Sequence, residues 1–313
     1  MRIGYPCLNR TLECRSSRTF RLKSYSEERL VETVENNLDC LFQILRFNVE
    51  HNILFFRITS DLVPFASHPV CRFDWGEHFR QEFSRIGRFI NKHKIRISMH
   101  PDQFTLINSL KVEIFERSRR ELLYHGRVLD LLGLNHTAKI QIHVGGVYGD
   151  KPAAIARFIA RYQTLEEETR RRLVIENDDV SYTLADCLKI SAATGIPVLF
   201  DVFHHSVNCS GEPVPEAVRR AAGTWKKRDG ILMTDYSSQK PGAARGSHTE
   251  TIEIRDFKKF LAASAPVDFD VLLEIKDKEK SAQKAAAAAA SDPRFYPPAA
   301  FAQARKRRGA GPR

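Results

Sequence analysis

Eight apolar runs, each five to seven residues long and each parted from the next by an amphipathic stretch, constrain this chain more than anything else in it. They are RIGYP (2–6), ILFFRIT (53–59), KIRISMH (94–100), AKIQIHV (138–144), RLVIEN (172–177), IPVLFDV (196–202), ILMTDY (231–236) and DVLLEIK (270–276). Their length and β-branched content predict buried strands. Between the first two, Leu30, Val34, Leu38, Leu41 and Leu45 recur at helical spacing; HFRQEFSRIGRFINKH and VEIFERSRRELLYHGRVLDLLG repeat the pattern, the latter closed by Gly133. Strand–helix alternation carried eight times over ~270 residues predicts an α/β chain folded as a TIM (β/α)8 barrel. A doubly wound sheet is the competitor, but no glycine-rich fingerprint follows the first run.

Six of the runs stop on a residue able to bind metal: His100, His143, Glu176, Asp201, Asp235 and Glu274. In a barrel, strand ends of this kind converge on one mouth, where active sites of the fold lie. His68, His204 and His248 fall in loops that would rim the same mouth. Taken singly, a histidine at a strand end is more often a satisfied core group, and a carboxylate there often caps the next helix. Taken together, the nine are hard to explain without cations, because crowded carboxylates repel one another. Mixed His/Asp/Glu donors without cysteine favour Mn2+ or Zn2+ over calcium, with Mg2+ also possible, and nine ligands suffice for two or three ions. Such sites perform in-line displacement at phosphorus, with Glu176, Asp235 and Glu274 the expected catalytic carboxylates. No Ser-His-Asp elbow and no P-loop is present.

Charge adds a weaker hint. The net charge is +11, and the segment from residue 281 carries seven Lys/Arg against one Asp, about half of that surplus. The excess fits an anionic partner such as nucleic acid. That segment, with AAAAAA at 285–290 and a closing RKRRGAGPR, is expected to be a low-complexity, disordered basic tail (281–313) beyond a barrel domain of 1–280. Six cysteines (7, 14, 40, 71, 187, 209) lack C-x-x-C pairing and are expected to be reduced thiols. No export signal or membrane span is read from the sequence, so a cytoplasmic monomer is expected.

RIGYPCLN, PFASHP, SMHPDQF, IHVGGVYGDK, IENDD, FDVFHH, YSSQKPGAARGSH and LLEIKDKE occur in that order over about the first 280 residues, and together they resemble the UV damage endonuclease family. The resemblance implies a TIM barrel carrying up to three metal ions, commonly manganese. Such an enzyme nicks damaged double-stranded DNA 5′ to bulky photolesions and leaves a 3′-hydroxyl and a 5′-phosphate. It implies ligation by His68, His100, His143, Glu176, Asp201, His204, His248 and Glu274, and leaves His205 to support or packing. One version of the family has a lysine, sometimes carboxylated to bridge metals, two residues before a ligand histidine in strand 7. Here those positions are Met233 and Asp235, and Met233 cannot bridge hard cations.

Lesion recognition is expected in the loop after His100. Damaged bases stack poorly and flip out cheaply, and a flat side chain pushed into the gap can hold that state. Gln103 offers an amide to orphaned base edges, and Phe104 a stacking surface where the family often has tyrosine. The resemblance also implies DNA contact by Tyr5 and Asn9, although packing of Tyr5 in the mouth accounts for it nearly as well. Lys151 and Arg245 are phosphate candidates by position. An apurinic-site endonuclease or a sugar isomerase on the same barrel is the first alternative; the isomerase would not want an open Gln-Phe pair. A non-catalytic damaged-DNA binder is the second, and Met233 favours it.

Overall fold

The structure is a computed structural model that describes residues 1–296. All eight runs become strands: β1 (Ile3–Pro6), β2 (Phe55–Ile58), β3 (Arg96–Met99), β4 (Lys139–His143), β5 (Leu173–Glu176), β6 (Val198–Asp201), β7 (Leu232–Tyr236) and β8 (Phe269–Leu273). They pair in parallel in sequence order, and β8 closes on β1, giving a barrel. Around it lie α1 (Glu27–Glu50), α2 (Trp75–His78), α3 (Arg80–His93), α4 (Val112–Leu131), α5 (Lys151–Thr164), α6 (Glu167–Arg172), α7 (Leu184–Thr194), α8 (Val202–Val207), α9 (Val214–Ala222), α10 (Ile254–Ala263) and α11 (Glu279–Ala288).

Local chemistry explains the boundaries. Ser26 caps α1 by accepting the Arg29 amide at 3.2 Å, and the predicted stripe of Leu30, Val34, Leu38, Leu41 and Leu45 is buried. Each such side chain contributes about 1.5–3 kcal/mol as an upper estimate. Gly133, at φ +63°, follows α4 in the left-handed conformation the spacing predicted.

The two-residue period of the strands sorts their side chains. Ile3, Tyr5, Phe56, Ile97, Ile140, Ile175 and Phe200 belong to the large core beneath the helices. Phe55, Val174, Leu199, Met233 and Leu272 form a separate apolar plug. Two residues further along those same strands stand Arg57, Glu176, Asp201, Asp235 and Glu274. Met233 is therefore part of the floor beneath a polar mouth. Gly4 lets β1 lie close to β2, because a Cβ there would sit 2.0 Å from the Phe55 carbonyl oxygen.

Two expectations are corrected. The boundary at 280/281 falls inside α11, whose Ala282, Ala285 and Ala286 are buried, and the helix packs on β1. Polyalanine carries no polar contrast to mark an amphipathic face, but alanine is the best helix former and its methyl lets a helix approach closely. The chain stays tied beyond it: the Tyr296 amide donates to Met1 O at 2.8 Å, and Arg294 donates to Leu261 O at 2.6 Å. The basic RKRR cluster lies outside the described residues. Secondly, Cys14 and Cys40 form a disulfide with Cα atoms 5.6 Å apart, and the other four cysteines are free. The folding of the loop after β1 onto α1 brings the pair together, a contact no local spacing announces. Among the described residues no helix is long and apolar enough to cross a membrane.

Candidate metal centre and nucleic-acid face

Parallel pairing in register sets strand ends side by side, His143 against Glu176 and Asp201 against Asp235. Glu176 is the hub. Its Oε1 lies 2.9 Å from His143 Nε2 and 3.3 Å from His100 Nε2. One donor atom each from His100, His143 and Glu176 lie within 4.8 Å of one another, and so do those of Glu176, Asp201 and Asp235. Glu274 follows β8, its carboxylate paired with Arg57 and its amide donating to Tyr236 O at 2.9 Å.

The histidines are oriented. Nδ1 of His100 meets Pro101 O at 2.7 Å, that of His204 meets Asn177 O at 3.0 Å, and that of His248 meets Glu274 O at 2.7 Å. An Nδ1–H donated to a carbonyl puts the lone pair on Nε2, the arrangement metal-binding imidazoles use. The His204 ring stands 6.1 Å from that of His143 and 6.2 Å from that of His248, centroid to centroid.

Two residues absent from the expectations complete the cluster. Arg57, on β2, donates to Asp235 Oδ2 and to Gln141 Oε1, both at 2.6 Å, as well as pairing with Glu274. Gln141, on β4, donates to Asp235 at 2.6 Å and to Glu176. Their signals were present: an arginine in the middle of ILFFRIT, and a glutamine two residues before His143, hence on the same face.

Electrostatics strains the assembly. Four buried or half-buried carboxylates face one guanidinium. Burial pushes Asp201 up to about 7 although His204 opposes it. It pushes Asp235 well above the usual carboxylate range against Arg57. Burial also opposes ionisation of Glu176, yet the facing His143 and His100 keep it well below the ordinary range. Arg57 outweighs burial at Glu274 and holds it at about 2. Burial would depress His143 and His204 too, but Glu176 raises the first and Asp201 the second, each to about 9. Asp201 Oδ2 and Asp235 Oδ1 are buried with no hydrogen-bond partner. Orphaned carboxylate oxygens beside imidazoles aimed by their Nδ1–H groups are a donor set that fits divalent cations.

Other expected site residues fall elsewhere. His68 is exposed, and its Nδ1 accepts the Val70 amide at 3.1 Å. His68 is not one of the residues whose donor atoms gather within 4.8 Å of one another. Tyr5 is fully buried, its hydroxyl donating to Asn48 at 2.7 Å and accepting from Asn9 at 2.8 Å. Asn9 is also buried and accepts the Thr11 and Leu12 amides at 2.9 and 3.0 Å. Both pin the first loop, and Tyr5 turns toward the helices as the odd positions of β1 do. Lys151 is paired with Asp186 at 3.0 Å. Arg245 is exposed and donates to Val207 O. His205 is buried against Phe200 with Nε2 on Glu212 O at 3.0 Å, the packing role expected. Gln103 and Phe104 are exposed, Phe104 to 72%. Beside them a cleft of about 400 Å³ is lined by His100, His143, Gly146, Tyr148 and Val180.

Fold and site together define a (β/α)8 barrel with a His/carboxylate cluster fit for divalent metal at the C-terminal ends of its strands. The barrel fold recurs in D-psicose 3-epimerase, 13% identical with a TM-score of 0.52 over 80% of this chain and 92% of that one, a likeness of fold alone. The family model described as UV-endonuclease UvdE matches residues 1–288, and the chain belongs to that family. The UV DNA damage endonuclease of Clostridium perfringens (strain 13 / Type A) is 38% identical over 91% of this chain and 69% of its own length. That of Bacillus thuringiensis subsp. konkukian (strain 97-27) is 34% identical over 89% and 91%. The crystal structure of SacUVDE superposes with a TM-score of 0.87 at 44% identity, covering 91% of this chain and 96% of that one.

Proposed function

We propose that this protein is a divalent-metal-dependent endodeoxyribonuclease that incises duplex DNA 5′ to UV photolesions, leaving a 3′-hydroxyl and a 5′-phosphate. The observation that carries the reading is the Glu176-centred cluster with its orphaned carboxylate oxygens and aimed imidazoles, in a chain of the UvdE family. His100, His143 and Glu176 would hold one ion and Glu176, Asp201 and Asp235 a second, with His204, His248 and Glu274 completing the shells. Ions there supply Lewis-acid activation of the phosphate and lower the pKa of attacking water. Arg57 holds Asp235 and Glu274 in place and bears part of their charge. The donor set has room for two ions or three, and Mn2+ suits the mixed donors.

Phe104 and Gln103, exposed at the rim beside the cluster, would act as the wedge, and the adjoining cleft would take a nucleotide turned out of the stack. The protein would act on DNA as a monomer in the cytoplasm. Incubating it with Mn2+ and a UV-irradiated duplex tests the function: a nick 5′ to the lesion supports it. Tight binding without cutting would leave a damage binder, and cutting only at abasic sites would indicate an apurinic endonuclease.

Gln103→Ala with Phe104→Ala is expected to reduce preference for irradiated over intact duplex by about 10-fold or more, since each lost stacking contact costs about 1–3 kcal/mol. Ion content, read by elemental analysis, should not change. Loss of ions would refute the wedge.

Metal loading should depend on pH with a definite sign. In the metal-free protein His143 and His204 keep their protons up to about pH 9, and ions must displace them. Apparent Mn2+ affinity should therefore climb from about pH 6 to about pH 9 and then level. Calorimetric titrations in buffers of different ionisation enthalpy should show proton release.

A further inference from the structure

The LLEIKDKE segment carries Lys276 and Lys278, and Lys280 follows it. The fold treats the three differently. Lys276 is exposed and paired with Glu250 at 3.1 Å, and Lys280 is exposed. Lys278 is half-buried, and its ammonium makes no hydrogen bond or ion pair among the described residues. Its backbone is at φ +53° and ψ −115°, which L residues rarely adopt.

The surroundings hold it there. Glu279, fully buried, accepts the Arg10 amide at 2.9 Å and the Thr11 hydroxyl at 2.8 Å, clamping the start of α11 under the first loop. Cys7 at the end of β1 is bonded through its amide to Arg57 O at 2.8 Å. Cys7, Glu274, Arg57 and Arg10 are among the groups close enough to act on Lys278 electrostatically. Glu274, the carboxylate among them, is already engaged by Arg57. On the β8–β1 side of the mouth, two cations, Arg10 and Lys278, make no ion pair with a carboxylate among the described residues. Lys278 is the one set into the wall.

We propose that Lys278 binds a non-bridging oxygen of the DNA phosphate that is incised, seating it against the carboxylate cluster from the β1/β8 side. An ammonium on a flexible stem suits a phosphate oxygen as a point charge. The proposal rests on the endonuclease reading, and its test separates the two.

Incision of a UV-irradiated duplex with Mn2+ is measured over a KCl series for wild type, Lys278→Gln, Lys278→Arg and, as control, Lys276→Gln. Lys278→Gln should lower kcat by about 10²-fold, as loss of one preorganised donor does. It should also reduce the slope of log(kcat/KM) against log[KCl] by about 0.9, the value of one phosphate contact. Lys278→Arg should recover most of the rate, Lys276→Gln should match wild type, and ion content and thermal midpoint should be unchanged throughout. A Lys278→Gln protein with wild-type kcat and salt slope would overturn the assignment while leaving the endonuclease intact. Failure of Lys278→Arg to restore the rate would make the position structural and overturn it too. A wild-type protein that does not cut would overturn the endonuclease reading itself.

Discussion

Glu176→Gln is expected to abolish incision, lowering the rate by about 10³-fold or more, because the change removes the one carboxylate that both donor groups share. The side chain is almost fully buried, ringed by His100, His143 and Gln141. Glutamine has the same shape, so the barrel should fold. The amide, however, cannot balance a dication and presents only one acceptor oxygen. Elemental analysis should show ion content falling at both sites, not one. An independent readout is available in the metal-free protein. Glu176 is what lifts His143 to about 9 against burial, so the substitution should return that imidazole toward its ordinary range, visible in an NMR titration. The sign for stability follows. A raised histidine pKa stabilises the metal-free fold below the unfolded value of about 6.5 and loses that contribution as pH rises through about 9. Glu176→Gln should flatten that slope. Retained incision with full ion content would remove Glu176 from the centre.

Arg57→Met has the next largest expected effect, large in the metal-free protein and small once Mn2+ is bound. Without metal, Arg57 is the only cation among the described residues bonded to Asp235 and Glu274, both at 2.6 Å or closer. Removing one partner from a buried ion pair costs about 3–5 kcal/mol, because the charge left behind is uncompensated. The metal-free variant should therefore unfold at markedly lower denaturant concentration. Methionine fills similar volume, and the freed carboxylates become additional donors. Saturating Mn2+ should restore most of the lost stability, and more ions should bind than in wild type. Equal destabilisation with and without Mn2+ would show that Arg57 serves packing and not charge balance.

The barrel was legible because its signal is repetitive and local. Each buried strand needs an apolar run, each covering helix an apolar stripe, and eight repeats leave one common architecture. The strand ends were legible for the same reason: His100, His143, Glu176, Asp201, Asp235 and Glu274 each break an apolar run at its last position, and a barrel gathers those positions at one end. What the pattern missed depended on side-chain direction. Tyr5 looked like a mouth residue, yet the pleat turns it toward Asn48 and the helices. Arg57 looked like an interruption of a core strand, yet the same pleat turns it inward to Asp235. His68 shares the motif character of the others, but it lies exposed in its loop and outside the donor groups gathered at the mouth. The alanine run read as low complexity, since composition cannot tell a solvated tract from a small-residue helix seated on a strand.

The sequence alone determined which residue types reach the mouth and in what order, because strand period and repeat length are properties of the chain itself. Only the tertiary structure decided which of them meet. Distances across a barrel are set by pairing register and closure, and imidazole tautomers by carbonyls from neighbouring loops. The pairing of Arg57 with carboxylates 178 and 217 residues away along the chain is visible in no local pattern.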